Sequence, residues 1–397
     1  MKFGIELEFT ASVVHAQSSK YGNFYEHILQ LMRESAICGW HFETDASCGN
    51  EIVSPILEGE LGLSQALQAC LCAKEAQQTY KLGTLIGKDA GVHYHFDAND
   101  LIKNKTKTSI MPIRNILILS AILEPLWFSM NPASRFETAF AAPLNFNLFQ
   151  MIRARDMVDI RDIWFRHYMG VMGHSDSYRI HHNSYSPAFV NSNYKPDKYD
   201  WTRYHGMNLV ALWKHGTFEF RYTHGSFEPE NIEAWYRHYK SVVDVARSIN
   251  TRTIVRACPY NLEDIKCSSI NGLQDVIYNN LNLAIRFMFM AKSKMGKPLF
   301  APDAKMLKFI LMKIIKYNPK VINMNIVKKI WKDDGTNFQR LMGYITGLKI
   351  TSTHSRRNRY QWTPKANPMS QNGTPAPTAD FMGLDEAAED GIIDANY

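Results

Sequence analysis

The chain has 397 residues, of which 45% are hydrophobic and 21% charged, with a formal net charge of +7. That length supplies one large domain or two ordinary ones with a sizeable core, and the composition is that of a globular protein. A mild positive excess suits an anionic ligand such as a nucleotide, while the folded part carries no dense Lys/Arg stripe of the kind nucleic-acid binding needs.

Residues 1 to about 10, MKFGIELEFT, carry acids inside an apolar run and read as a strand, not as a signal peptide. Tyr25 to Ser35 has helical apolar spacing, and Trp40 to Pro55 is punctuated by Gly and Asp, with a hairpin turn expected at Cys48 to Asn50. Leu61 to Leu82 is helical by periodicity, and Gly91 to Asp97 is a short strand. Ile110 to Met130 is apolar but interrupted by Pro112, Arg114, Glu124 and Pro125, which predicts a buried helix and not a membrane span. Residues 131 to 155 mix Pro, Ala and aromatics, and residues 170 to 204, rich in His, Ser, Asn and Tyr, read as a long loop or hairpin insertion. Met207 to Trp213 and Thr217 to Tyr222 read as two strands joined at Lys214-His215-Gly216, and Glu228 to Ser248 as a helix opened by Pro229. Residues 251 to 350 read as mostly helical, their basic run being a solvated face. From about Thr351 the chain turns polar and Pro-rich, which predicts a flexible tail; a tail that docks on a partner or folds over the active site is the alternative. The six cysteines, Cys38, Cys48, Cys70, Cys72, Cys258 and Cys267, form no CxxC pair and read as free thiols in a reducing cytoplasm.

One pattern recurs in three short strands: Gly4-Ile5-Glu6-Leu7-Glu8-Phe9, Gly91-Val92-His93-Tyr94-His95-Phe96 and Thr217-Phe218-Glu219-Phe220-Arg221-Tyr222. Residues i and i+2 of a strand share a face. Glu6 with Glu8, His93 with His95, and Glu219 with Arg221 therefore each share one, while Leu7, Tyr94 and Phe220 turn the other way. If the three strands share a sheet, it has an apolar base and a polar floor. Two carboxylates on one strand face lie roughly 6.5–7 Å apart, and their repulsion is on the order of 2–3 kcal/mol at an effective dielectric of about 20. Positive charge must offset it. Carboxylates with imidazoles and no thiolate suit Mg²⁺ or Mn²⁺, and Mg²⁺ prefers to bridge substrate phosphates. Each motif alone also reads as an ordinary polar strand face; together they predict a metal–nucleotide site.

The same pieces, in order, resemble the amidoligase family, a branch of the glutamine synthetase and glutamate–cysteine ligase superfamily. They are FGIELEF; DASCGNEIVSP with Asp45, Glu51, Ser54 and Pro55; GVHYHFD; SRFETAFAAPL with Arg135; and the segment from Gly206 to His238 with Asn208, Glu219, Arg221, Gly225 and Trp235. The resemblance covers about residues 1 to 250. It implies an α+β fold: a curved antiparallel or mixed sheet of glutamine-synthetase catalytic type, backed by helices. A mostly helical region over 251–350 and the tail over 351–397 would follow this catalytic domain. It implies metal ligation by Glu6, Glu8, Glu51, His93 and Glu219, and leaves Asp45 open. His95 would lie by the nucleotide phosphates, Arg221 would hold a substrate carboxylate or the transferring phosphoryl group, Arg135 would contact phosphate or substrate, and Asn208 would belong to the nucleotide site. Thr217 stands where glutamine synthetase has an arginine, and Ala141 where the family commonly has a cysteine; these departures leave the substrate open.

The implied activity is an ATP- and Mg²⁺-dependent ligase joining a carboxylate to an amine, on an amino acid, peptide or protein side chain, through an acyl phosphate. The base that takes the amine proton stays open among His205, His174, Asp176, His181 and His182. No GxxxxGK[ST] loop is present, so a P-loop fold is not expected. Two alternatives remain: a metal-dependent hydrolase, which needs no ATP, and a binding or assembly protein on a degenerate ligase fold.

Overall fold

The alternation in the first residues becomes strand β1 (Lys2–Thr10) in a computed structural model of the protein. The structure describes residues 1–10, 18–44, 49–80, 82, 86–87, 89–98, 110–137, 139–144, 146–171, 201–258, 273–300 and 304–318. Asp45, Cys48 at the expected hairpin turn, most of the 170–204 insertion and the tail lie outside them.

After β1 come α1 (Ser18–Glu34), β2 (His41–Glu43), β3 (Gly49–Val53), β4 (Leu57–Glu58), α2 (Gly59–Thr79) and β5 (Gly91–Asp97). The long apolar helix follows as α3 (Ile110–Ser129), then α4 (Ser134–Glu137), α5 (Leu148–Arg153) and α6 (Met157–Val171). Next are β6 (Met207–Asn208), α7 (Val210–His215), β7 (Thr217–His224), α8 (Pro229–Ser248), α9 (Thr251–Ala257), α10 (Leu273–Met290) and α11 (Ala304–Tyr317). The chain is thus α+β.

The strands form one sheet in the order β2-β3-β1-β5-β7-β6, with β4 paired to the start of β1. Every strand pair in it is antiparallel. One face is apolar: Phe3, Ile5, Leu7 and Phe9 of β1, Tyr94 and Phe96 of β5, and Phe218 and Phe220 of β7 are all buried. Helix α8 lies against it, stacking Tyr239 on Phe220 with ring centroids 4.4 Å apart and Tyr236 on Phe96 at 5.9 Å. Helix α3 adds Trp127, edge-on to Phe220 at 5.7 Å. Burying each such side chain contributes about 1.5–3 kcal/mol.

Among the described residues, α3 alone has the length and apolarity to cross a membrane, but nearly all of it is buried inside the fold. Its interrupting residues are used. Arg114 donates to the Ala154 carbonyl and to Thr251, while Glu124 accepts from the Leu144 N–H and from the Tyr222 hydroxyl.

One expected strand is mostly helix. Only Met207 and Asn208 of the span to Trp213 are extended; the Asn208 side-chain oxygen accepts from the Val210 N–H at 2.9 Å and turns the chain into α7. Gly216, left-handed at φ 68°, ends that helix and releases the chain into β7. Local alternation was overridden by this side-chain turn, for which asparagine is well suited.

Beside β6, Gly206 donates to the Ala142 carbonyl and accepts from the Arg221 N–H at 2.6 Å. A Cβ there would lie 2.1 Å from the Tyr222 ring. We therefore expect Gly206→Ala to destabilise the protein by at least about 1–3 kcal/mol through overpacking. Gly4→Ala, whose added Cβ would meet nothing closer than 3.6 Å, should stay within about 0.5 kcal/mol of wild type. Urea unfolding of the two variants checks both.

Candidate active site

Residues directly opposite in an antiparallel pair point to the same side, so the register decides what meets. Glu8 lies opposite Glu51, Glu6 opposite His93, His95 opposite Glu219, and Glu219 opposite Asn208. The three motifs and Glu51 therefore line a single face. Arg221, two residues on from Glu219, shares this face, and a β-bulge begins at it. Between the pairs Tyr94–Phe220 and Val92–Thr223, β7 spends two residues, Arg221 and Tyr222, against His93 alone.

The side chains converge. His93 Nδ1 lies 2.9 Å from Glu6 and 3.4 Å from Glu219, and its Nε2 lies 3.3 Å from Glu8. His95 Nε2 lies 3.0 Å from Glu6 and 4.0 Å from Glu219, while its Nδ1 is 3.2 Å from the Thr217 hydroxyl. Arg221 Nη1 donates to Glu219 and sits 3.3 Å from His93, and its Nε donates to the Phe140 carbonyl at 3.3 Å. The Asn208 amide donates to the other Glu219 oxygen at 2.5 Å. Glu8 accepts from the Gly91 N–H at 2.5 Å. Most of this is buried: Glu8 is 2% exposed, His93 1%, Glu219 4% and Arg221 3%.

The electrostatics follow from that crowding. Burial pushes the Glu6 carboxyl up, but His95 and then His93 outweigh it and hold Glu6 well below its ordinary range. Burial lowers His95, yet the Glu6 and Glu219 carboxylates raise it on balance to about 9. Glu219, raised by burial, is brought below its ordinary value by Arg221 and His95. The Arg221 guanidinium, lowered by burial, is raised above its ordinary value by Glu219, Glu8 and Glu6.

The donor set fits a hard divalent cation. One ligand atom each from Glu6, His93 and Glu219 lies within 4.8 Å of the others. Three buried polar atoms at the same place, Glu8 Oε1, His93 Nε2 and His95 Nε2, make no well-aligned hydrogen bond, although His93 Nε2 faces Glu8 and His95 Nε2 faces Glu6 at ion-pair distance. The carboxylate oxygens suit Mg²⁺ or Mn²⁺, and the imidazole nitrogen also admits a transition metal.

The model of a family described as putative amidoligase enzyme matches residues 1–243, which include every strand of this floor. The chain belongs to that family. A search of curated proteins gave no match.

One expected member of the site, Arg135, does not join the floor, and a second, Asn208, joins it through Glu219. Arg135 is fully buried and donates to the backbone carbonyls of Asp89 and Arg221, so its guanidinium is directed at the scaffold and not at a phosphate or substrate; burial, only partly offset by Glu8, lowers it to about 10. The Asn208 amide donates to Glu219 and its side-chain oxygen accepts from the Val210 N–H, which fixes the Glu219 carboxylate. His205, one candidate base, is 2% exposed, donates from Nδ1 to the Thr202 carbonyl at 2.9 Å, and is lowered by burial to about 4; its interior position suits packing and not proton transfer at the mouth. His174, Asp176, His181 and His182 lie outside the described residues.

Other groups at the site have contacts that residue type does not announce. Thr217, seen only as a departure from glutamine synthetase, contacts His95. Ser54 holds β1 to the end of β3, its hydroxyl accepting from the Ile5 N–H at 2.8 Å. The Phe140 carbonyl and the Gly91 N–H are backbone groups with no signature in residue type.

The raised His95 sets a pH test on metal-free protein. An imidazole raised from 6.5 to about 9 on folding adds stability that is fully present below about pH 6.5 and lost as pH rises through about 9. Urea unfolding in EDTA should show a loss on the order of 2–3 kcal/mol across that window, which His95→Gln should flatten. The lowered Glu6 contributes oppositely: its stability is present above the ordinary carboxylate range and lost as pH falls through its folded value.

Proposed function

We propose that the protein is an ATP- and Mg²⁺-dependent carboxylate–amine ligase that forms a peptide or isopeptide bond through an acyl phosphate. The observation that carries the reading is the convergence of Glu6, Glu8, His93, His95, Glu219 and Arg221 on one face of the sheet, in a chain of the amidoligase family. A sheet with one polar face and one face under helices supports assigning the fold to the glutamine-synthetase catalytic type. We place the enzyme in the cytoplasm, where ATP and Mg²⁺ are at hand.

A carboxylate does not condense with an amine in water, because hydroxide leaves poorly. Phosphorylation solves this. The acid's oxygen attacks the γ-phosphorus and ADP leaves; the amine then attacks the acyl carbon, loses a proton, and phosphate departs. Such transfer needs positioning and charge neutralisation more than a protein nucleophile, which matches a floor without one. Glu6, His93 and Glu219 would hold one divalent cation, and Glu8, with Glu51 opposite, a second. A bound Mg²⁺ or Mn²⁺ supplies Lewis-acid neutralisation of phosphate oxygens. Arg221, fixed through Nε on the Phe140 carbonyl and through Nη1 on Glu219, would supply the positive charge that meets a carboxylate or phosphoryl oxygen. His95, protonated between Glu6 and Glu219 in the metal-free protein, lies where it can donate to the developing charge.

The test is incubation with Mg·ATP and pooled acids and amines, reading phosphate release and a product lighter by one water than its two parts. Product formed without ATP would mean a hydrolase working in reverse, and the absence of any heat with Mg·ATP in titration calorimetry would mean a binding protein. The paired change Glu6→Gln with Glu8→Gln should abolish metal-dependent ATP binding with the fold intact by circular dichroism. Arg221→Ala should lower kcat by roughly 10²-fold or more, in line with loss of one preorganised donor, while leaving ATP affinity within a few fold.

A further inference from the structure

The Arg135 guanidinium lies beneath the floor and joins two segments that each aim a functional group upward. Its Nη1 donates to the Asp89 carbonyl at 3.0 Å, and its Nη2 to the Arg221 carbonyl at 2.5 Å. Asp89 leads into Gly91, whose N–H holds Glu8 at 2.5 Å. Arg221 is the bulged residue whose side chain grips Glu219. The fit is tight: a Cβ on Gly91 would lie 2.4 Å from Arg135 Nη2, so position 91 tolerates no side chain while position 135 holds this guanidinium in place. Only a planar fork with donors fixed in direction can bridge the two carbonyls at once; a lysine offers one ammonium on a flexible stem.

We infer that Arg135 is a positioning residue that sets the spacing between the Glu8 carboxylate and the Arg221 guanidinium, and so between the place where metal is gripped and the place where the substrate anion is gripped. The inference rests on the proposed metal-dependent reading of the floor.

The test uses the full-length chain stripped of metal, with Mn²⁺ alone as the probe and free Mn²⁺ followed by electron paramagnetic resonance. Arg135→Lys keeps the charge and loses the fork; it should weaken Mn²⁺ binding about tenfold or more in protein that remains folded by its melting curve in EDTA. Gly91→Ala leaves residue 135 unchanged but drives a Cβ into its guanidinium, so it breaks the same link from the other side and should give a similar loss. The double variant should be no worse than the poorer single, because both changes cut one connection, whereas independent defects add. A role confined to stability would lower the melting temperature and leave Mn²⁺ affinity of the folded protein at the wild-type level. That result in Gly91→Ala or in Arg135→Lys overturns the inference, as do losses that add in the double variant. If Arg135→Lys fails to fold, Gly91→Ala decides alone. Absence of Mn²⁺ binding in the wild type would overturn the metal reading itself and this inference with it, a result separate from normal binding in the variants.

Discussion

Like charge crowded on one side of a sheet is the constraint around which this protein is arranged. Glu6, Glu8, Glu51 and Glu219 share a face, and Glu8 stands directly opposite Glu51. Each close pair of carboxylates costs on the order of 2–3 kcal/mol at an effective dielectric of about 20. No strand would accept this for its own sake. It persists because the alternate residues of the same strands, among them Ile5, Leu7, Tyr94, Phe96 and Phe220, are buried on the other face under α3 and α8. Slipping any strand by one residue would expose that apolar set and bury the acids against the helices.

The repulsion is managed by donors of graded strength. His93 sits between the acids and reaches Glu6, Glu8 and Glu219 with its two ring nitrogens. Arg221 is fixed on Glu219. Asn208 and the Gly91 N–H take the remaining oxygens of Glu219 and Glu8. Every one of these contacts restricts where a carboxylate oxygen can point. A preorganised set of this kind spares the reorganisation that flexible acids would have to undergo on meeting a cationic or metal-bound ligand.

The scaffold beneath has its own logic. Two arginines stand a few ångströms apart in role as well as in place: Arg221 turns its charge upward to the acids, while Arg135 turns its charge to backbone carbonyls below. Residue type does not distinguish them. The chain around them does, since Arg221 lies on β7 two residues from Glu219, on the face of the acids, and Arg135 lies on a short helix, α4, outside the sheet.

Much of this could be read in the residues. The period-two patterns of β1, β5 and β7 identified strands, and with them which side chains of each strand go together, because alternation is a property of an extended backbone and needs no partner. Local signals of the same kind made the Pro229 opening of α8 and the apolar density of α3 legible. Other features depend on neighbours far along the chain. Asn208 ended an apparent strand by bonding Val210, Glu51 met Glu8 only through the β1–β3 register, and Arg135 left the site for the carbonyls of Asp89 and Arg221. By itself, then, the sequence determined the faces of the strands and the chemistry carried on each, since these follow from local geometry and residue type. The tertiary structure alone decided which carboxylates face one another, which of them Arg221 and His93 contact, and which charged groups are spent on the backbone, because register and burial are set by pairing between distant segments.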